Sequence, residues 1–238
     1  MIISEKHKYV FIQLPHTACT AVGKELVELY DGRPFLHKHA MYHHLERELG
    51  ADVKDYFVFS SIRNPMDELI SVYHKFKTNH NSQYTDPSNW KSNGGWLSSR
   101  GLRQFRFVYE DGATFEDFFK RFFRLPYANM SILAHDRLDF LIRYERLQDD
   151  FSTLLEKLGL EQSRPLPIVN PTKKEDRLSH AYYSSRVSAQ AAFVLGPLMH
   201  ELGYPFPEEW GRNRPSLSSK VAYRIVRGVR TAFWRYVA

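Results

Sequence analysis

Three times along this chain an apolar run of strand length is followed, within a few residues, by a segment of helical period. That rhythm limits the fold more than any other feature. KYVFIQL (8–14) leads into TAVGKELVELY (20–30), whose Val22, Leu26 and Leu29 share one side. DYFVFSSIR (55–63) is broken by Asn64-Pro65 and continues as MDELISVYHKFK. DFLIRYE (139–145) runs into LQDDFSTLLEKLGL, closed by Gly159. Apolar runs without alternation suit strands covered on both faces, and strands alternating with helices call for parallel pairing. The expectation is an α/β fold of three layers, a central parallel sheet flanked by helices.

The remaining segments are less regular. Residues 78–113, polar and rich in Asn, Ser and Gly, read as one long irregular stretch. TFED (114–117) is a capping box that opens the aromatic-faced helix FEDFFKRFF. A Pro-rich link, RPLPIVNPT (164–172), precedes a long helical stretch from about Ser179 to Leu202, kinked before Pro197 and ended by Gly203. The division expected is a main domain over 1–210 and a basic amphipathic helix within 211–238.

Charge follows that division. Residues 211–238 hold Arg212, Arg214, Lys220, Arg224, Arg227, Arg230 and Arg235 and no acid. Taking these seven from the 33 basic residues leaves 26 against 27 acidic ones, so the net charge of +6 belongs to the tail. A nucleic-acid-binding body is disfavoured on that ground. The single cysteine, Cys19, excludes an internal disulfide and suits a reducing compartment. MIISEKHKYVF carries charges too early, and an apolar run too short, for a signal peptide or anchor. A soluble, cytoplasmic protein is expected.

In parallel sheets ligands sit beyond the carboxyl ends of strands, at the turns into helices. The first such turn is PHTACT, residues 15–20. A helix N-terminus offers unpaired backbone N–H groups and partial positive charge to an anion, and Thr17 and Thr20 bring hydroxyls. A simple helix cap is the alternative. The pattern G-x-x-x-x-G-K-S/T is absent, which disfavours an ordinary ATPase or GTPase. At the second turn Arg63 ends a strand and Ser71 follows two helical turns after Pro65. An arginine so placed can fork two donors onto a phosphate; a surface arginine with a solvated serine is the alternative.

FIQLPHTACTAV, HKHA (37–40), FVFSSIRNPMDELISVY (57–73) and FLIRYERLQDDF (140–151) together resemble the sulfotransferase family, nearest its carbohydrate-type and bacterial branches. The likeness continues through LPIVNPTKKED, Tyr182-Tyr183 and GYPF, over roughly residues 7 to 210. It implies a P-loop-type fold and transfer of a sulfuryl group from 3′-phosphoadenosine 5′-phosphosulfate (PAPS) to a hydroxyl or amine, with no metal. By resemblance Pro15, His16, Thr17, Ala18, Cys19 and Thr20 hold the 5′-phosphosulfate. Arg63 and Ser71 hold the 3′-phosphate.

The departures are informative. The family's first loop usually reads P-K-T-A/G-G/S-T, whereas this chain has His16 in place of the lysine that neutralises charge on the departing oxygen. His16 is expected to take over that role, alone or with cationic help from Lys38, Lys173 or Lys174. Cys19 is either a thiol activated at a helix N-terminus or a small buried side chain. Of the histidines in LHKHAMYHH, His39 is the expected base for the acceptor's proton, against a hydrogen-bonded core histidine; no Cys or carboxylate stands at zinc-ligand spacing. Glu145 and Asp150 are expected to orient loops or cap the helix that follows. Asn170, Lys173 and Lys174 fall where the family closes a loop over the nucleotide; a solvated charge run is the alternative.

Tyr84, Trp90, Trp96, Arg100, Arg103 and Arg106 would suit a sugar ring or an anionic acceptor, or would pack as a lid. The acceptor expected is a carbohydrate or small hydroxylated molecule. From Lys220 onward a basic amphipathic helix fits either an anionic membrane surface, placing the protein on an inner membrane face, or docking on protein. A catalytically inactive nucleotide-binding module of the same fold is the rival reading.

Overall fold

The computed structural model describes residues 1–129, 137–167 and 179–236. The chain divides into two compact units. The first comprises Met1–Asn64, Ala128–Asn170 and Arg227–Ala238; the second comprises Pro65–Tyr127 and Pro171–Val226.

The first unit is built on a five-stranded sheet among the described residues. Its strands are β1 (Ile2–Ser4), β2 (Tyr9–Ile12), β3 (Arg33–Pro34), β4 (Phe57–Ile62) and β5 (Phe140–Arg143), in the spatial order β3-β1-β2-β4-β5. The three strands foreseen in the sequence, β2, β4 and β5, pair in parallel at its centre. β1 and β3 add an antiparallel edge that was not foreseen.

Helices cover both faces. Tyr9, Phe11 and Phe59 point one way, into α1 (Cys19–Leu29) and α6 (Leu147–Lys157), meeting Val22, Leu26, Phe151, Leu154 and Leu155. Their neighbours Val10, Ile12 and Val58 point the other way, toward Leu45 of α2 (Tyr42–Leu49). Alternate residues of one strand thus feed two cores, the reason these strands are apolar throughout. The fold is a three-layer α/β sandwich with a parallel centre, as expected.

Two pairings fasten the approach to residue 167. Arg164 donates Nε to Oε1 of the fully buried Glu25 over 2.9 Å and Nη2 to its Oε2 over 2.8 Å. Gln148 exchanges two amide hydrogen bonds with the backbone of Leu166.

The second unit is helical: α3 (Pro65–Lys77), α4 (Ser99–Tyr109), α5 (Phe115–Phe122), α7 (Ser188–Glu201) and the first part of α8 (Leu217–Tyr236). Its interior is aromatic, with Tyr73, Phe76, Phe105, Phe115, Phe118 and Tyr183 buried. Thr114 caps α5 by accepting from Asp117 N, as TFED foretold. The stretch 78–113 departs from its expectation, because it contains α4. Ser98 Oγ caps that helix at Gly101 N, and Phe105 and Val108 are its buried anchors. The arginines on its outer face disguise the short apolar seam. The expected helix over 179–202 is also shorter, a 3-10 turn at Ser179–Tyr182 and then α7, which carries Pro197 within it.

Candidate active site

At the end of β2 the chain turns sharply into α1. His16 (φ 65°) and Ala18 (φ 61°) both adopt the left-handed backbone that glycine normally supplies. Such residues cost on the order of 1 kcal/mol or more each, so the surroundings must hold the loop in shape. Three hydrogen bonds do so. Thr17 Oγ1 donates to Leu14 O (2.8 Å) and lies 2.7 Å from Ser61 Oγ. With its only proton committed to Leu14, Thr17 accepts from Ser61. Gln13 Nε2 donates to Cys19 O (3.2 Å). Gly23 makes room for that amide, since a Cβ there would lie 2.6 Å from Gln13 Nε2.

The loop therefore differs in detail from its sequence reading. The Thr17 hydroxyl is occupied inside the protein, where it braces the turn. No side chain caps α1 at Ala18. A left-handed residue against a helical one is the backbone pattern that gathers successive N–H groups into an anion-binding concavity. Thr20 is the hydroxyl presented at the helix start; its Oγ1 accepts from Lys38 Nζ over 3.0 Å, which leaves its own proton to donate. Cys19 is a small buried residue packed with Val22 and Leu26, the second of its two readings.

Arg63, at the end of β4, is only 5% exposed. Its Cζ lies 4.1 Å from the Tyr144 ring centroid, and Nη1 reaches His16 O at 3.5 Å. Nε and Nη2 are buried without a hydrogen-bond acceptor among the described residues. A buried, charged donor left unpaired costs more than an ordinary hydrogen bond contributes, so two costly donors stand beside the loop with no acceptor among the described residues. The adjacent turn is fixed by Glu145, which accepts from Asn64 N at 2.7 Å, and Asp150 accepts from Arg143 N at 2.8 Å. Both carboxylates orient loops, as expected.

His39 is half-buried, and its Nδ1 lies 2.8 Å from Gln13 O. A carbonyl only accepts, so Nδ1 carries the proton and Nε2 keeps a lone pair. Burial, more than any other influence, holds the imidazole below its ordinary 6.5. The neutral imidazole is favoured, and its orientation is set by Gln13, directly after β2. The other histidines of this segment meet one another: His44 lies 5.1 Å from His37 and 3.9 Å from His43 between ring centroids. Among the described residues no three His, Cys, Asp or Glu side chains are grouped as a metal site.

Sequence reasoning missed Tyr144, Ser61 and Gln13. The buried Ser60-Ser61 pair was their clearest signal, since two adjacent hydroxyls in an apolar strand need partners; Ser60 donates to Ile12 O. Ser71 is buried on α3 in the second unit. Lys173, Lys174 and Asn170 lie outside the described residues. The expected acceptor-side aromatics divide: Tyr84 is core, stacked on Phe105, while Trp96 is exposed. Arg103 and Arg106 line a cavity of about 440 Å³ with Phe107, Asp111, Arg121, Phe122 and Arg124.

A family model described as "Sulfotransferase family" matches residues 1–198. No curated protein and no solved structure matches the chain.

Proposed function

The chain belongs to the sulfotransferase family, and from that premise we propose that it is a PAPS-dependent enzyme that sulfates a hydroxyl-bearing acceptor, of carbohydrate or small-molecule class. The observation that carries this reading is the Arg63 guanidinium, buried beside the 15–20 loop with two nitrogens unpaired among the described residues. PAPS presents two anionic ends, and the residues offer two donor groups at neighbouring strand ends.

In this reading Pro15, His16, Thr17, Ala18, Cys19 and Thr20 form the loop for the 5′-phosphosulfate. Arg63 takes the 3′-phosphate, and the family resemblance adds Ser71 and Lys173 to the nucleotide-binding set. When bound, PAPS supplies an activated sulfuryl group, and its leaving product is adenosine 3′,5′-bisphosphate. His39 Nε2 takes the acceptor hydroxyl's proton. His16 stands where the family places its lysine, and Lys38, held on Thr20, brings an amine donor to the same helix start. Stabilisation of this kind is worth roughly 2.7–4 kcal/mol per donor.

Calorimetric titration with adenosine 3′,5′-bisphosphate tests the reading. Saturable one-to-one binding is expected for the wild type. Arg63→Ala should weaken it roughly a hundredfold, from loss of about 3 kcal/mol in charge-assisted hydrogen bonds. A wild type that binds no bisphosphate refutes the proposal. Tight binding without turnover across hydroxyl acceptors would instead identify the inactive module.

A further inference from the structure

Six large apolar side chains stand open along α8. Leu217, Val221, Ile225, Val229, Phe233 and Tyr236 are each between 49% and 79% exposed. At helical spacing they share one arc of about 160°. The opposite side is already engaged. Ser219 Oγ donates to Phe193 O (2.6 Å), Tyr223 Oη donates to Glu201 (2.9 Å), and Arg230 donates to Ala128 O. The helix is thus held with its apolar stripe turned outward, and among the described residues none covers that stripe.

The charge around the stripe selects the occupant. Residues 211–238 contain seven basic side chains and no acidic one, with Lys220, Arg224, Arg227, Arg230 and Arg235 on α8 itself. Pairing two copies of this helix stripe to stripe would set cations against cations. A nucleic acid would satisfy the arginines and leave the stripe in water. A lipid surface with anionic headgroups meets both demands, because it takes apolar residues at the acyl boundary and cations among the headgroups. No helix of the described residues is long and apolar enough to cross a membrane, so α8 would lie along the surface.

We propose that α8 seats this protein on anionic membrane surfaces through the 217–236 stripe. Flotation of the full chain with phosphatidylcholine vesicles, with and without phosphatidylserine, provides the test. The wild type should float with the phosphatidylserine vesicles at least tenfold more than with phosphatidylcholine alone, and added salt should reduce this. Val229→Glu and Ile225→Glu, exposed and spared by the fold, should lose flotation about tenfold while keeping wild-type circular dichroism. The paired change Lys220→Gln with Arg224→Gln should weaken only the phosphatidylserine-dependent part. No flotation by the wild type, or flotation untouched by the glutamates, overturns the proposal. So does a wild-type dimer in sedimentation equilibrium that Val229→Glu splits while vesicles remain unbound, since the stripe would then be an interface between copies.

Discussion

Arg63 stacks on Tyr144, with Cζ 4.1 Å from the ring centroid, and two of its nitrogens meet no acceptor among the described residues. The ring holds the guanidinium plane without consuming a donor, so Nε and Nη2 would remain to meet the anion of the proposed site. A cation–π contact of this kind contributes roughly 1–2 kcal/mol when partly desolvated. Tyr144→Phe should therefore leave bisphosphate affinity within about twofold, whereas Tyr144→Ala should weaken it about five- to thirtyfold. Titration calorimetry on the two variants decides, and equal affinities would show that the ring has no part in binding.

Lys38 should matter more for turnover than its exposed position implies. Its Nζ sits on Thr20 at the start of α1, close in the chain to the residue that replaces the family lysine. Lys38→Ala is expected to lower kcat about a hundredfold, with a smaller change in bisphosphate affinity. His16→Lys in the Lys38→Ala background should recover part of the loss. Should His16→Lys raise turnover in the wild-type background while His16→Ala changes nothing, His16 has not taken over the lysine's role.

With His39 as the proposed base, the reaction should show an acid limb. Its folded-state pKa lies below 6.5, chiefly because burial disfavours the charged ring. A base must be unprotonated, so kcat should be flat above 6.5 and fall as pH drops through that lower value. His39→Ala should lower kcat by about 10²–10⁴-fold and remove the limb. The sign for stability is the same. At pH above 6.5 the ring is neutral folded and unfolded. Below 6.5 the unfolded chain takes the proton first, so stability falls progressively toward the folded pKa. His43, His44 and His80 shift in the same direction, so thermal melts at several pH values report their sum. The pH profile of kcat isolates His39, and a limb centred above 6.5 would contradict its assignment.

Gly23 tests how the loop is braced. In an unobstructed helix Gly→Ala gains about 1 kcal/mol from propensity. Here the added Cβ would lie 2.6 Å from Gln13 Nε2, in a buried site. Displacing that amide breaks its bond to Cys19 O, and overpacking of this kind costs about 1–3 kcal/mol. Gly23→Ala should lower Tm by roughly 2–10 °C. A rise in Tm would mean that Gln13 moves aside freely and does not hold the turn.

The strand–helix rhythm was readable because it is local. Val22, Leu26 and the apolar run before them lie within one stretch of chain, and their period states which face each element buries. The same holds for Thr114, three residues from the N–H it caps, and for the left-handed turn at Gly159. β1 and β3 escaped notice because strands of three and two residues are too short to show a period; β1 forms on the edge that β2 offers, and β3 on the edge of β1.

The sequence by itself determined three parallel βα units, the two turns that carry PHTACT and Arg63, and a basic helix of amphipathic period. Tertiary structure alone decided which side chains those turns bring together. Parallel pairing of β4 with β5 places Tyr144 under Arg63, and the pairing of β2 with β4 brings Ser61 to Thr17. The return of the chain after β3 carries Lys38 to Thr20 and His39 to Gln13. It also decided that the apolar stripe of α8 faces outward, because Ser219 and Tyr223 had already claimed the inner side. Periodicity reports what is close along the chain, whereas a binding site depends on what strand order makes close in space.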